Sequence, residues 1–189
     1  MKISTKHIIV SATVFFFCAL VILTLGKGLK LNPKSAGNAL ENKPAKSFNV
    51  QVIQGANLTQ PQDRNSFTLS QFKGRPLIIN FWASWCLSCR TEAHELETFW
   101  KKHESEGVQV LGIAIHDTTT SSEAFIKKYG KTYAIGLDTD GKAGINYGVI
   151  GVPETFFIDS DGIIKHKIAG PVNRASLEEH LPKIVRKKL

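Results

Sequence analysis

The apolar stretches of this chain differ in length, and length sorts them. The longest, Ile8 to Leu25 (IIVSATVFFFCALVILTL), runs 18 residues without a charge. As a helix it spans roughly 27 Å, close to the roughly 30 Å of a bilayer's hydrocarbon core. Two later runs, PLIINFWA (76–83) and VQVLGIAI (108–115), have strand length. Their unbroken apolarity predicts strands covered on both faces, as in a sheet flanked by helices. Ahead of them FNVQVI alternates from Phe48, a loop rich in Asn, Gln, Pro and Asp follows, and FTLSQFKGRP comes next. This reads as a short strand pair or an irregular N-terminal extension.

The helical segments are marked by spacing and by caps. Beyond Cys86, the residues Ala93, Leu96, Phe99 and Trp100 recur at helical spacing, with Glu95, Lys101 and Lys102 among the polar positions. Gly107 is placed to end that region. Thr120-Ser121-Ser122-Glu123 has the form of a capping box and predicts a short helix closing at Gly130. A strand and a short helix are expected within 132–147. ETFFID, the turn SDG and IIKHKIAG predict a β-hairpin. Asn173 caps a last helix with Leu177, Leu181, Ile184 and Val185 on one face, and Pro182 is expected to bend or interrupt it. The order predicts an α/β domain with a mixed sheet and helices on both faces.

Charge changes the reading of the N-terminus. Residues 1–46 carry seven Lys and one Glu, a net of +6, whereas 47–189 carry 17 basic and 15 acidic residues, a net of +2. The basicity flanks the apolar run instead of covering a folded face, so nucleic acid is not the expected partner. A smaller cluster at Lys183, Arg186, Lys187 and Lys188 reads as a solvated end. The apolar run is too long for a signal peptide's core and no Ala-x-Ala site follows it, so it reads as an uncleaved anchor. Cys18 follows three phenylalanines and reads as a small apolar residue of that anchor, not a lipidation site. The organisation expected is an anchor at 1–26, a polar Pro/Gly/Asn/Lys tether at 27–46 and one domain at 47–189.

The candidate chemistry lies in NFWASWCLSCRTE, Asn80 to Glu92, where Cys86 and Cys89 stand two residues apart. Zinc needs three or four Cys and His ligands, and no second CxxC exists. Covalent haem needs a histidine after the second cysteine, where Arg90 stands. A structural disulfide stabilises through loop closure, and so short a loop contributes little. Elimination leaves redox chemistry. Positions three apart at a helix start share a face. Cys86 would sit at the helix N-terminus, where free N–H groups and the dipole favour a thiolate. Cys86 would then form the mixed disulfide and the more buried Cys89 would resolve it. No metal and no cofactor is expected.

FWASWCLSC resembles the thioredoxin-fold active site. With the anchor, GVIGVPETFFIDSDGIIKHKIAG (148–170) is similar to the membrane-anchored TlpA/ResA group, and within it to the DsbE-type (CcmG) thiol:disulfide interchange proteins of cytochrome c maturation. The resemblance covers roughly residues 47–185. It implies a thioredoxin fold, with Cys86 and Cys89 as the redox pair and Trp85 flanking it. It makes Pro153 a cis-proline facing the pair, and gives the Val152 backbone strand-like hydrogen bonds to a bound peptide. It implies that Glu92 modulates proton transfer at the pair. It also has Glu154 shape an acidic groove or tune Cys86, with an inert exposed loop carboxylate as the alternative. Where many thioredoxins carry a buried aspartate this chain has Asn80, which cannot shuttle protons. Ser88 could donate a hydrogen bond to the Cys86 thiolate, and Leu87 adds an apolar rim contact.

The function implied is a thiol:disulfide oxidoreductase held by residues 8–25 in a bacterial inner membrane, its domain facing the periplasm. A transmembrane thiol reductase would supply electrons, and the client would be the CxxCH of apocytochrome c. The alternative is a TlpA/ResA-like reductase with another envelope client. An oxidant, a thioredoxin-fold metallochaperone and a peroxidase are the other readings. The second requires C-x-x-x-C and the third Thr-x-x-Cys, and both patterns are absent.

Overall fold

A computed structural model describes residues 5–29, 39–55 and 65–185 of the chain. It divides into two units, 1–36 and 37–189. The first is helix α1, Thr5–Leu29, which ends three residues beyond the expected anchor at 1–26. Two of its hydroxyls bond back along the helix: Thr13 donates to the Ile9 carbonyl and Thr24 to that of Val21, both at 2.9 Å. Phe15, Phe16, Ile22 and Leu23 are all exposed. Among the described residues no helix is long and apolar enough to cross a membrane. The side chains at 5–8, 10 and 27–29 lie outside the described set, which therefore does not take in the whole Ile8–Leu25 run.

The second unit is built on a seven-stranded sheet of order β2-β1-β5-β4-β3-β6-β7. Its strands are β1 Asn49–Gln54, β2 Ser66–Thr68, β3 Leu77–Trp82, β4 Gln109–Ile115, β5 Ala134–Asp138, β6 Glu154–Ile158 and β7 Ile164–Ala169. Strands β3, β4 and β5 are mutually parallel, and the remaining pairings are antiparallel. All six residues of β3 are buried, the polar Asn80 among them, as its mostly apolar run predicts for a central strand.

Side chains alternate between two cores. Ile78 and Trp82 face a core shared with helices α2 (Leu87–His103), α3 (Thr119–Tyr129) and α5 (Arg174–Ile184). Ile79 and Phe81 face the other, closed by the short helix α4 (Lys142–Asn146) and by Phe48, Phe67 and Phe72 of the N-terminal extension. The mixed sheet with helices on both faces, the N-terminal strand pair and the 154–169 hairpin are all present. The strand pair joins the main sheet through β1 and β5, a long-range pairing that local pattern does not reveal.

Four expectations are revised or partly left open. The cap of α3 is Thr118, whose hydroxyl accepts from Ser121 N at 3.2 Å. Thr120 is already inside the helix, so it cannot adopt the extended backbone that a cap requires. Helix α5 runs through Pro182 to Ile184. Only two residues remain after the proline, and Val185 N closes the end on the Leu181 carbonyl. Part of the segment expected as a tether, 27–46, packs on the second unit. Asn42 N and Lys43 O bond the two polar groups of Ile164, and Leu40 packs on the second core. Positions 30–38, the loop at 56–64 and the basic end at 186–188 lie outside the described residues.

Candidate active site

Strand β3 ends at Trp82 and α2 starts at Leu87, so the chain turns at the C-terminal end of the central strand. Cys86 is the helix N-cap, with extended backbone and Sγ accepting from Cys89 N at 3.1 Å. Ser88 Oγ lies 3.4 Å from the same sulfur and the Val152 carbonyl oxygen 3.6 Å. Cys86 and Cys89 form a disulfide, with Cα atoms 5.3 Å apart. They are 4% and 1% exposed, so Cys86 is the outer sulfur. The Cys89 N–H donates to the atom that carries negative charge once the disulfide is reduced, the Ser88 hydroxyl lies within reach to do the same, and the Val152 carbonyl is an acceptor facing it. Trp85 and Leu87 are exposed beside it, in an open groove of about 570 Å³ with Cys86, Ser88, Thr91 and Val152.

The turn is pinned from the end of β4. Asp117 accepts from Ser84 N at 2.6 Å and from Ser84 Oγ at 2.9 Å. Trp85 Nε1 donates to the His116 carbonyl at 3.0 Å. His116 itself has a positive φ of 50°, a conformation more open to His than to bulky or branched residues. His116 and Asp117 stand 30 and 31 positions from Cys86, beyond any local motif, so sequence reasoning missed them.

The Val152–Pro153 peptide is cis, and Pro153 is buried beside the pair. Glu154 is the first residue of β6, not a loop residue, and it is 4% exposed. Its carboxylate lies 2.7 Å from Lys167 Nζ and accepts from Ile150 N at 3.2 Å. An exposed, inert loop carboxylate is therefore excluded, and an acidic groove loses its negative charge to Lys167. Antiparallel pairing of β6 with β7 brings that lysine in, with Glu154 opposite Ala169 and Phe156 opposite Lys167. The pair braces the backbone of the cis-proline segment from below.

Glu92 lies two turns into the same helix and is 1% exposed. Asn80 Nδ2 donates to it at 2.9 Å, and Val172 N donates to its other oxygen at 2.9 Å. Asn80 Nδ2 also reaches Thr155 Oγ1 at 3.1 Å. Burial pushes the Glu92 carboxyl up to about 7, against the Val172 and Asn80 hydrogen bonds and the charge of Lys131, which pull it down. A solvated helix glutamate is thus excluded at this position. A carboxyl poised near neutrality can take up or release the proton of a neighbouring thiol. Among the described residues no group of three or more His, Cys, Asp or Glu is placed to hold a metal ion.

Comparison with known proteins agrees with this geometry. Residues 42–167 match the family model of the AhpC/TSA family. The chain is 36% identical over 186 residues to the thiol:disulfide interchange protein DsbE of Allochromatium vinosum, covering 98% of this chain and 96% of the relative. It is 33% identical over 151 residues to the protein of that name from Escherichia coli K12, covering 79% and 76%. A solved thiol:disulfide interchange protein of the thioredoxin family, from Chlorobium tepidum, superposes with a TM-score of 0.64 at 25% identity, covering 75% of this chain and 94% of that one. The sheet is thus a thioredoxin fold, and the chain, a thiol:disulfide oxidoreductase, belongs to the AhpC/TSA family and to the DsbE thiol:disulfide interchange proteins.

Proposed function

We propose that this protein is a membrane-tethered reductase of client disulfides on the periplasmic side of a bacterial inner membrane, and that its client is the CxxCH of apocytochrome c. The observation that carries the reading is the outer sulfur of Cys86. It is ringed by Cys89 N and Ser88 Oγ, faces the Val152–Pro153 segment and stands in an open groove. The apolar helix supports the tether: the match to the A. vinosum relative takes in 98% of the chain, and so nearly all of that helix. Disulfides persist outside the cytoplasm, so a reductant acting there needs an electron supply. A transmembrane thiol reductase is the donor expected, and a tether raises its effective concentration and that of the client.

The chemistry then runs in two exchanges. The Cys86 thiolate attacks one sulfur of the client disulfide, and the other leaves as a thiolate. Cys89 gives its proton to the Glu92 carboxylate and attacks the Cys86 sulfur. The client leaves reduced, and the Cys86–Cys89 disulfide re-forms. Two electrons pass from protein to client. Trp85, Leu87 and the Val152 backbone line the surface on which the client lies. Glu154 acts through Lys167 and Ile150 to position that surface.

Equilibration with glutathione tests the direction. A potential near thioredoxin's, about −270 mV, is expected, whereas one near about −120 mV would make the protein an oxidant. Periplasmic exposure is tested by a reporter fused after Val185. Clients captured on Cys86 decide between apocytochrome c and another envelope protein.

A further inference from the structure

Behind α2 lies a buried lysine that the exchange chemistry does not use. Lys131 is 3% exposed, and its Nζ sits 4.0 Å from the ring centre of Trp82, 5.0 Å from that of Phe125 and 5.5 Å from that of Tyr133. Among the described residues no carboxylate forms an ion pair with it. Burying an ammonium without a paired charge is expensive, so its retention calls for a physical reason.

The register of the sheet places this lysine with Glu92. Asn80 and Trp82 are two apart on β3 and point to the same face. Asn80 holds Glu92 at 2.9 Å, and Trp82 carries Lys131 on its ring. Asn80 pairs with Gly112 of β4, and Gly112 with Ile135 of β5. Gly112 has no side chain, and Trp82 and Tyr133 close in over it: a Cβ there would stand 3.1 Å from Trp82 Nε1 and 3.2 Å from Tyr133 Cε2, so any larger residue would displace these two side chains. Three polar atoms in this region are buried and unpartnered among the described residues: Asn80 Oδ1, Trp82 Nε1 and the Tyr133 hydroxyl. They comprise an acceptor, a donor and a group that does both, the complement that bridging water requires.

Lys131 also lines a surface cleft of about 420 Å³ with Gln54, Glu123, Lys127 and Thr132. That cleft is at the N-terminal end of β5. The redox pair is past the C-terminal end of β3, which runs parallel to β5 through β4. The cleft shares no lining residue with the groove around Cys86.

We propose that Glu92, the polar atoms over Gly112 and Lys131 form a rear proton path, which joins Cys89 to solvent at the cleft while a client covers the front. It rests on the reading of Glu92 as the acceptor of the Cys89 proton. The proton leaves Cys89 for the Glu92 carboxylate, crosses bridging water to the Lys131 amine, and is released from the ammonium into the cleft. No electrons move along it, and water is the only co-reactant. Burial brings the Lys131 ammonium down to about 7, opposed by Glu92 and Glu97, so both ends exchange protons near neutrality. The charged and titratable groups facing Lys131 are Glu92 and Glu97 from α2, Glu123 and Lys127 from α3, and Tyr133 beside β5.

The test uses the full reduced chain with oxidised glutathione. Stopped-flow tryptophan fluorescence follows collapse of the Cys86–glutathione mixed disulfide from about pH 5 to about pH 9. Lys131→Met should raise the Glu92 inflection by about one pH unit and slow collapse at neutral pH by about three- to tenfold. Lys131→Arg, which keeps the charge, should leave the inflection in place. Gly112→Ala should slow collapse without moving the inflection, and serves if Lys131→Met fails to fold. A wild-type profile in either folded variant overturns the path. Glu92→Gln separates the two ideas. If it abolishes the inflection while the other variants match wild type, only the path falls. If the inflection survives Glu92→Gln, the Glu92 reading falls and takes the path with it.

Discussion

The Asn80 amide donates to the Glu92 carboxylate at 2.9 Å, across 12 positions of sequence and from strand to helix. The strand position that could have held an acid thus holds a group that only orients one. The acid itself stands on α2, three residues beyond Cys89 and on the same face of the helix. Asn80 positions the carboxyl, and of the two only Glu92 can hold a proton.

Stability should show that division. Burial raises the Glu92 carboxyl from 4.5 to about 7, so the folded state binds the extra proton in that window. Its contribution is therefore present at low pH and is lost as pH rises from 4.5 to about 7. Lys131 has the opposite slope: its lowered value means the unfolded chain binds more protons between about 7 and 10.5, so stability recovers with rising pH there. Calorimetry of the wild type should find the two contributions lowest together near neutrality. In Glu92→Gln the loss between pH 4.5 and 7 should disappear, and persistence of the same slope would assign it to another group.

Asn80→Asp would place a second carboxyl against the first. Like charges at that range prevent both from ionising, so the two acids should titrate in two coupled steps, one pushed above the present value of about 7. Carboxyl infrared bands followed against pH read this directly. A single unshifted step would mean that the new side chain turns away.

Cys89→Ala should trap clients and glutathione on Cys86 as stable mixed disulfides, visible by non-reducing electrophoresis and intact mass. The outer sulfur is the one facing the groove, and removal of the inner one leaves nothing to resolve the adduct. Adducts in Cys86→Ala instead, through Cys89, would reverse the assignment.

Glu154→Ala should destabilise the fold by about 3 kcal/mol, because it strands the Lys167 ammonium in a nearly closed site. The side chains of the pair are only 7% and 6% exposed and lie 2.7 Å apart. Urea unfolding measures this. Lys167→Met with Glu154→Gln should recover most of the loss, since no unpaired charge then remains. The single variant should also slow exchange with glutathione disulfide, because Ile150 N loses its acceptor beside the cis-proline segment.

Much of the fold was legible because its signals are local. The unbroken run of β3 announces a strand buried on both faces, and Asn173 announces α5 by its cap. The cysteine spacing at the start of a helix identifies the redox pair, since three positions on one face are a local matter. Partners across the sheet were not legible. Thr120 looked like a cap because the motif is short, and Thr118 won through its own extended backbone. The burial of Glu154 was not legible because the lysine that pairs with it arrives from the neighbouring strand.

By itself the sequence determined the order of elements, the pair that exchanges electrons and the outer rank of Cys86, all consequences of periodicity and of one helix terminus. Tertiary structure alone decided the environment of each ionisable group. Burial, and the approach of Asn80, Val172 and Lys131 from three separate segments, set where Glu92 holds its proton. Desolvation depends on what packs around a side chain, and that is a property of the whole fold, not of the residues beside it in the chain.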